Sequence, residues 1–258
     1  MIQQILPDTR VLICRPEPSA SALSKVLESV GATCKVLPSL QIKPVEISAE
    51  SRQKIMNIDQ YEHVIVVSQH AATLGLSIID EYWPQFPVQQ NWFAIGRKTA
   101  HCLKSAELVL VEPNSDLNSE ALLANTLLAH VRDAKVLILK GEEGRDTIER
   151  ELTKRGAKVE TIALYKRVCP EYSRGKLEES LIQFNPTYIV ALSGETLTNL
   201  IHLSKKVKAE LKQKSLILSS ERVANIAREQ GYKRTYIALN LTPMDIIRCI
   251  AKARKEIH

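Results

Sequence analysis

Shifting this chain against itself by 125 positions brings Val11-Leu12-Ile13 onto Val136-Leu137-Ile138. Without a gap, Arg15 falls on Lys140, Glu17 on Glu142, Leu27 on Leu152 and Gly31-Ala32 on Gly156-Ala157. Ser68 falls on Ser193, and each follows an apolar run, VIVV in one half and IVAL in the other. After a one-residue slip Gly96 and Ala100 meet Ser220 and Ala224, and the original offset then returns with Glu120 on Asp245. A period this long exceeds any solenoid unit. It describes a duplicated half-protein, which restricts the chain to architectures with two similar lobes.

Within each half, short apolar runs alternate with amphipathic segments. The runs predict ten strands, five per repeat, at 11–14, 34–37, 64–67, 92–95, 108–111, 136–139, 159–162, 189–192, 216–218 and 235–239. Between them, residues 19–30 put Leu23, Val26, Leu27 and Val30 on one helical face, and residues 119–131 do the same with Leu122, Leu123, Leu127 and Leu128. Gly31 and Gly156 stand where helix C-caps are wanted. Strands alternating with helices indicate an α/β fold with parallel sheets. Two stretches break the rhythm, 38–44 with Pro38 and Pro44, and 163–170 ending in Pro170. Both read as extended crossings between lobes. Two crossings make lobe 1 discontinuous, 1–37 plus 171–258, and leave 45–162 as lobe 2, each lobe taking parts of both repeats.

Composition excludes several functions. No run of 18 apolar residues exists, so no membrane span is expected. The N-terminus lacks the basic and apolar regions of a signal peptide. Five scattered cysteines, Cys14, Cys34, Cys102, Cys169 and Cys249, form no CxxC, which argues against a disulfide framework or zinc site and fits the cytoplasm. Net charge is +6, but unevenly placed: 10 basic against 13 acidic residues in 1–130, and 25 against 16 in 131–258. A basic half attracts polyanions. Aromatics make up only 5% of the chain and no nucleic-acid reading motif is present, so a nucleic-acid partner is not expected.

In parallel sheets, ligands bind beyond the carboxyl ends of the strands. The segments there are Arg15–Pro18, Ser68-Gln69-His70, Gly96-Arg97-Lys98-Thr99, Asn118-Ser119-Glu120, Lys140–Arg145, Ser193-Gly194-Glu195 and Ser219-Ser220-Glu221-Arg222. Most are Ser, Thr or Gly ahead of a helix, where free N–H groups and a positive dipole end favour anions. Capping alone also explains Ser and Thr at such positions. Two symmetric lobes would aim the whole set at one cleft. His70, two residues after Ser68 at a helix start, cannot face it, and a capping role is the simpler expectation. There is no GxGxxG, no phosphate-binding P-loop, no HExxH and no GxSxG elbow. Neither metal nor cofactor is therefore expected. Donors without a nucleophile suit a reaction driven by binding, orientation and one proton transfer.

Those segments, in order, carry a resemblance. VLICRPEPSASALSKVLESVGA, VIVVSQHA, WFAIGRKTA, SDLNSEALL, VLILKGEEGRDTIERELTKRGAKVETIALYKR, IVALSGETL and LILSSERVANIAREQGY together resemble the uroporphyrinogen-III synthase family over essentially the full length. RGAKV and LYKR after the KGEEGR loop are the most specific pieces. The resemblance implies two flavodoxin-like or Rossmann-like lobes joined by a two-stranded β-ladder. It implies a cofactor-independent lyase that closes hydroxymethylbilane, a linear polycarboxylate tetrapyrrole, into uroporphyrinogen III with loss of water and inversion of ring D. The family's proposal runs through an azafulvene cation, a spiro intermediate at the substituted position of ring D, fragmentation and reclosure.

The resemblance also assigns roles. Tyr165 holds the family's Tyr position in the second crossing and is expected to assist the leaving hydroxyl. The substrate carboxylates are expected to meet N–H groups and hydroxyls at Ser68, Gln69, Gly96, Thr99, Ser119, Gly141, Ser193, Gly194 and Ser220. Arg15, Lys98, Lys140, Arg145 and Arg222 are the expected charge partners. A monomer is the default expectation, with at most transient contact with the preceding pathway enzyme. The alternative from a different class is a non-enzymatic, two-lobed small-molecule sensor, which would bind without turnover.

Overall fold

A computed structural model of the chain describes residues 5–87, 89–111, 118–144 and 146–257. Its strands are β1 (Arg10–Ile13), β2 (Thr33–Val36), β3 (Gln41–Pro44), β4 (His63–Val66), β5 (Asn91–Ala94), β6 (Lys135–Gly141), β7 (Lys158–Val168), β8 (Tyr188–Val190), β9 (Ser215–Leu218) and β10 (Arg234–Ile237). The α-helices are α1 (Ser19–Ser29), α2 (Ala49–Met56), α3 (Gln69–Tyr82), α4 (Arg97–Lys104), α5 (Ser119–Leu123), α6 (Thr126–Ala129), α7 (Thr147–Lys154), α8 (Arg174–Glu178), α9 (Gly194–Lys206), α10 (Glu221–Glu229) and α11 (Pro243–Ile257). The chain divides into two compact units, Met1–Gln41 with Val168–His258, and Ile42–Arg167.

The first unit holds a five-stranded sheet in the order β10-β9-β8-β1-β2, with every pairing parallel. The second sheet runs β3-β7-β6-β4-β5, and its β7-β6-β4-β5 portion is parallel. The 125-residue shift converts one order into the other, since β1, β2, β4 and β5 map onto β6, β7, β8 and β9. Each sheet is covered on both faces. In the first, Leu12, Ile189 and Leu216 pack towards α8, α9 and α10, while Val11, Ile13, Val190 and Ile217 pack towards α1 and α11. In the second, Val64, Val66, Leu137 and Leu139 face α2, α3 and α4, and Ile65, Phe93, Val136 and Ile138 face α5, α6 and α7. The alternation follows from the two-residue repeat of a strand, and burial of both faces explains why these strands read as unbroken apolar runs.

Three expectations need correction. Residues 108–111 make no strand: Leu110 forms a single parallel bridge to Trp92, and Val109 is 83% exposed. The apolar run at that edge finds a partner on one side only. Residues 119–131 form two short helices, because the Asn125 side chain accepts the Leu127 N–H at 3.0 Å and starts a new helix. The strand expected at 159–162 continues without interruption to Val168. Neither proline nor glycine occurs in that span to end it. Gly31 and Gly156, at φ 96° and 90°, occupy the left-handed region that ends α1 and α7.

Candidate active site

The second unit contains a cavity of about 410 Å³ beyond the carboxyl ends of β4, β6 and β5. Its walls include Ser68, Ser119, Lys140, Gly141, Glu143, Glu149, Tyr165 and Arg167. Tyr165 enters because β7 outruns β6 and because the register shifts between Lys140 and Gly141, setting Gly141 opposite Tyr165. The ring is buried, 3% exposed, and packs into the core under α3. Its hydroxyl lies 3.0 Å from the Ser68 hydroxyl.

Ser68 is held in turn by helix physics. It is the N-cap of α3, in extended backbone, and its Oγ accepts the Ala71 N–H at 3.1 Å. That oxygen retains a lone pair and a proton, so it can either accept from Tyr165 or donate to it. Gly141 crowds the same ring from β6. A Cβ there would lie 2.8 Å from Cε2 and Cζ of Tyr165 and 3.1 Å from its hydroxyl oxygen. The Glu142 N–H also donates to the Tyr165 carbonyl at 2.7 Å. The phenol is thus located by the backbone at the end of β6 and by one helix cap.

The expected capping role at this helix start belongs to Ser68; His70 lies one residue inside α3, and its ring and that of Tyr165 meet edge-to-face, with centroids 5.7 Å apart and planes at 66°. Burial, and then the Arg167 and Lys98 cations, push the His70 pKa below its ordinary value. The imidazole is therefore neutral at neutral pH. Lys140, with a largely covered side chain, pairs with Asp146 at 2.8 Å and more loosely with Glu149 at 3.7 Å. An incoming carboxylate would compete with these two for the ammonium.

The other predicted residues are distributed as follows. Ser119 is the first residue of α5, and Asn118 is its cap, accepting the Ala121 N–H at 2.8 Å. Gln69 begins α3 and is exposed. Gly96, at φ 88°, caps α4; Lys98 is exposed and Thr99 is buried. Gln69, Gly96, Lys98 and Thr99 are not among the described walls of the cavity. Arg145 lies outside the described residues. In the first unit, the Ser193 hydroxyl caps α9, accepting the Thr196 N–H at 3.1 Å. Arg222 lies beside Gly194, its Nη1 3.7 Å from where a Gly194 Cβ would stand. Ser220 holds the N-cap position ahead of α10 but makes no side-chain capping bond. Burial lowers the Arg15 pKa. Sequence reasoning missed Arg167, although strand periodicity puts it on the same side as Tyr165, two residues earlier. It also missed Glu149. Among the described residues, no three of His, Cys, Asp and Glu gather as a metal site.

The family model described as Uroporphyrinogen-III synthase HemD matches residues 21–248. The uroporphyrinogen-III synthase of Escherichia coli K12 is 29% identical over 247 residues, which are 93% of this chain and 99% of that protein. That of Salmonella typhimurium LT2 is 28% identical over 243 residues, with the same two shares. Among solved structures, a mutant uroporphyrinogen III synthase of the extreme thermophile Thermus thermophilus aligns over 96% of this chain and 99% of its own, with TM-score 0.61 and 16% identity. Uroporphyrinogen-III synthetase from Helicobacter pylori 26695 aligns over 95% and 99%, with TM-score 0.61 and 13% identity. These two likenesses speak to the fold.

Proposed function

The chain belongs to the uroporphyrinogen-III synthase family, and on that premise we propose that it closes hydroxymethylbilane to uroporphyrinogen III, with Tyr165 as the proton donor to the departing hydroxyl. The observation that carries this reading is Tyr165 on the wall of the cavity, with its hydroxyl 3.0 Å from a serine that is itself fixed as a helix cap. When Ser68 donates to the phenol oxygen, the phenol proton is left for the substrate. Transfer of that proton lets the hydroxyl leave as water and produces the azafulvene cation. Ser68 then stabilises the phenolate by its hydrogen bond. The pyrroles supply the electrons for attack, fragmentation and reclosure. The proton released when the ring rearomatises returns to Tyr165, so the balance is one water lost.

A cavity of about 410 Å³ suits one substituted pyrrole ring rather than an entire tetrapyrrole. Lys140 and Arg167 stand on its wall as partners for carboxylate arms. Arg15, Ser193, Gly194, Ser220 and Arg222 serve other arms from the first unit in this reading, and Gln69, Gly96, Lys98, Thr99, Ser119 and Arg145 serve from the second. Rate enhancement then comes mainly from selecting one folded substrate, because uncatalysed closure gives the non-inverted isomer. On this reading the enzyme is a lyase that draws on neither metal nor organic cofactor. It works in the cytoplasm as a monomer; the five thiols, all free, fit a reducing compartment. The deciding experiment is incubation with freshly generated hydroxymethylbilane and separation of product isomers. Predominant type III product supports the proposal, and only type I product refutes it.

A further inference from the structure

The two repeats differ where Tyr165 stands: its counterpart 125 residues earlier is Leu40. They differ again at His70, whose counterpart 125 residues later is Glu195. In the folded second unit these two departures from symmetry touch each other. The His70 and Tyr165 rings meet edge-to-face at a centroid distance of 5.7 Å. An aromatic pair that joins the two repeats has therefore been built in only one of the two units, at the residue read as the proton donor.

We propose that His70 is a positioning residue for Tyr165, acting through the packing of its ring and not through proton transfer. The proposal rests on the reading of Tyr165 as proton donor. Three neighbours confine the phenol. Ser68 fixes its hydroxyl at 3.0 Å. Gly141 sits against one face with no room for a methyl group. His70 supplies the third restraint, an edge-to-face contact of the kind aromatic pairs prefer. Two of the three act from α3, one at its cap and one in its first turn, and the third acts from β6. The same imidazole is poorly suited to acid–base work. It is half-buried, and its described electrostatic neighbours are the cations Arg167 and Lys98. No described carboxylate orients it, as one does in proton-relay histidines.

The test is a double-mutant cycle between His70 and Tyr165. With intact full-length protein and hydroxymethylbilane, His70→Ala should lower kcat about 10-fold with KM within about twofold, because misplacement of the donor costs rate rather than binding. His70→Phe, which restores a ring edge but no titratable nitrogen, should recover most of that loss and leave the pH–rate profile as in wild type. In a Tyr165→Phe background, His70→Ala should cost almost nothing further. Thermal unfolding of each variant separates misplacement from loss of the fold. A wild-type kcat for His70→Ala alongside a slow Tyr165→Phe overturns the positioning role and leaves the Tyr165 reading intact. Equal losses for His70→Phe and His70→Ala overturn it in favour of imidazole chemistry. A wild-type rate for Tyr165→Phe overturns the proton-donor reading itself.

Discussion

Gly141→Ala is the most informative single change, since it adds one methyl group at a position where backbone conformation does not demand glycine. Gly141 is absent from the glycines at positive φ, so alanine fits the main chain. The added Cβ would nevertheless stand 2.8 Å from two carbons of the Tyr165 ring. Carbon atoms rest at about 3.5–4.0 Å, so the ring has to withdraw by roughly 0.7–1.2 Å. Tyr165 is buried in a strand paired to Gly141, and a displacement of that size disrupts the 3.0 Å contact geometry with Ser68. Overpacking of this kind costs about 1–3 kcal/mol of stability. Displacing a catalytic group by about 1 Å costs on the order of 100-fold in rate. Activity should therefore fall much further than stability. The assay is consumption of hydroxymethylbilane with quantitation of the type III and type I products, alongside thermal unfolding. Gly175→Ala in α8 is the control, since a Cβ there meets nothing within 4 Å and the residue lies outside the cavity. A Gly141→Ala enzyme retaining more than about half the wild-type kcat would refute the argument that close backbone approach positions the phenol.

Tyr165→Phe removes only the hydroxyl and should lower kcat about 10- to 100-fold while the protein stays folded; steady-state kinetics with circular dichroism checks both. Ser68→Ala and Ser193→Ala each remove a helix cap and should each lose about 1 kcal/mol in denaturant unfolding, but Ser68→Ala alone should slow turnover as Tyr165→Phe does. Burial lowers the pKa of both His63 and His70. Above the ordinary value of about 6.5 folded and unfolded chains are both neutral there, whereas below it the unfolded chain binds protons that the folded chain resists. Stability should therefore decline as pH falls from about 6.5 towards the lower folded values, and the decline should be shallower in His63→Gln when melting temperatures are measured across that range.

The α/β class was legible because each half alternates apolar runs with amphipathic segments, and parallel strands buried on both faces leave that mark. Ser68 and Ser193 were legible as helix starts because capping is a local interaction. Apolar content proved less decisive at the sheet edge, where 108–111 has the composition of a strand but only Leu110 bridges a neighbour. The helix pattern over 119–131 concealed a break, since periodicity counts leucines while Asn125 redirects the backbone.

By itself the sequence determined the duplication, the alternating elements and the helix-start residues offered to anions, because these depend on interactions within a few residues of chain. It also singled out Tyr165 against Leu40 as a departure from the repeat. Only the tertiary structure decided what that departure is for. A register shift in β6 set Gly141 against the phenol. The parallel arrangement brought α3 over β7, so that Ser68 reached its hydroxyl and His70 its ring. Such contacts join residues far apart in the chain. No local pattern records them, because their geometry is fixed by strand pairing and packing rather than by the order of residues on either side.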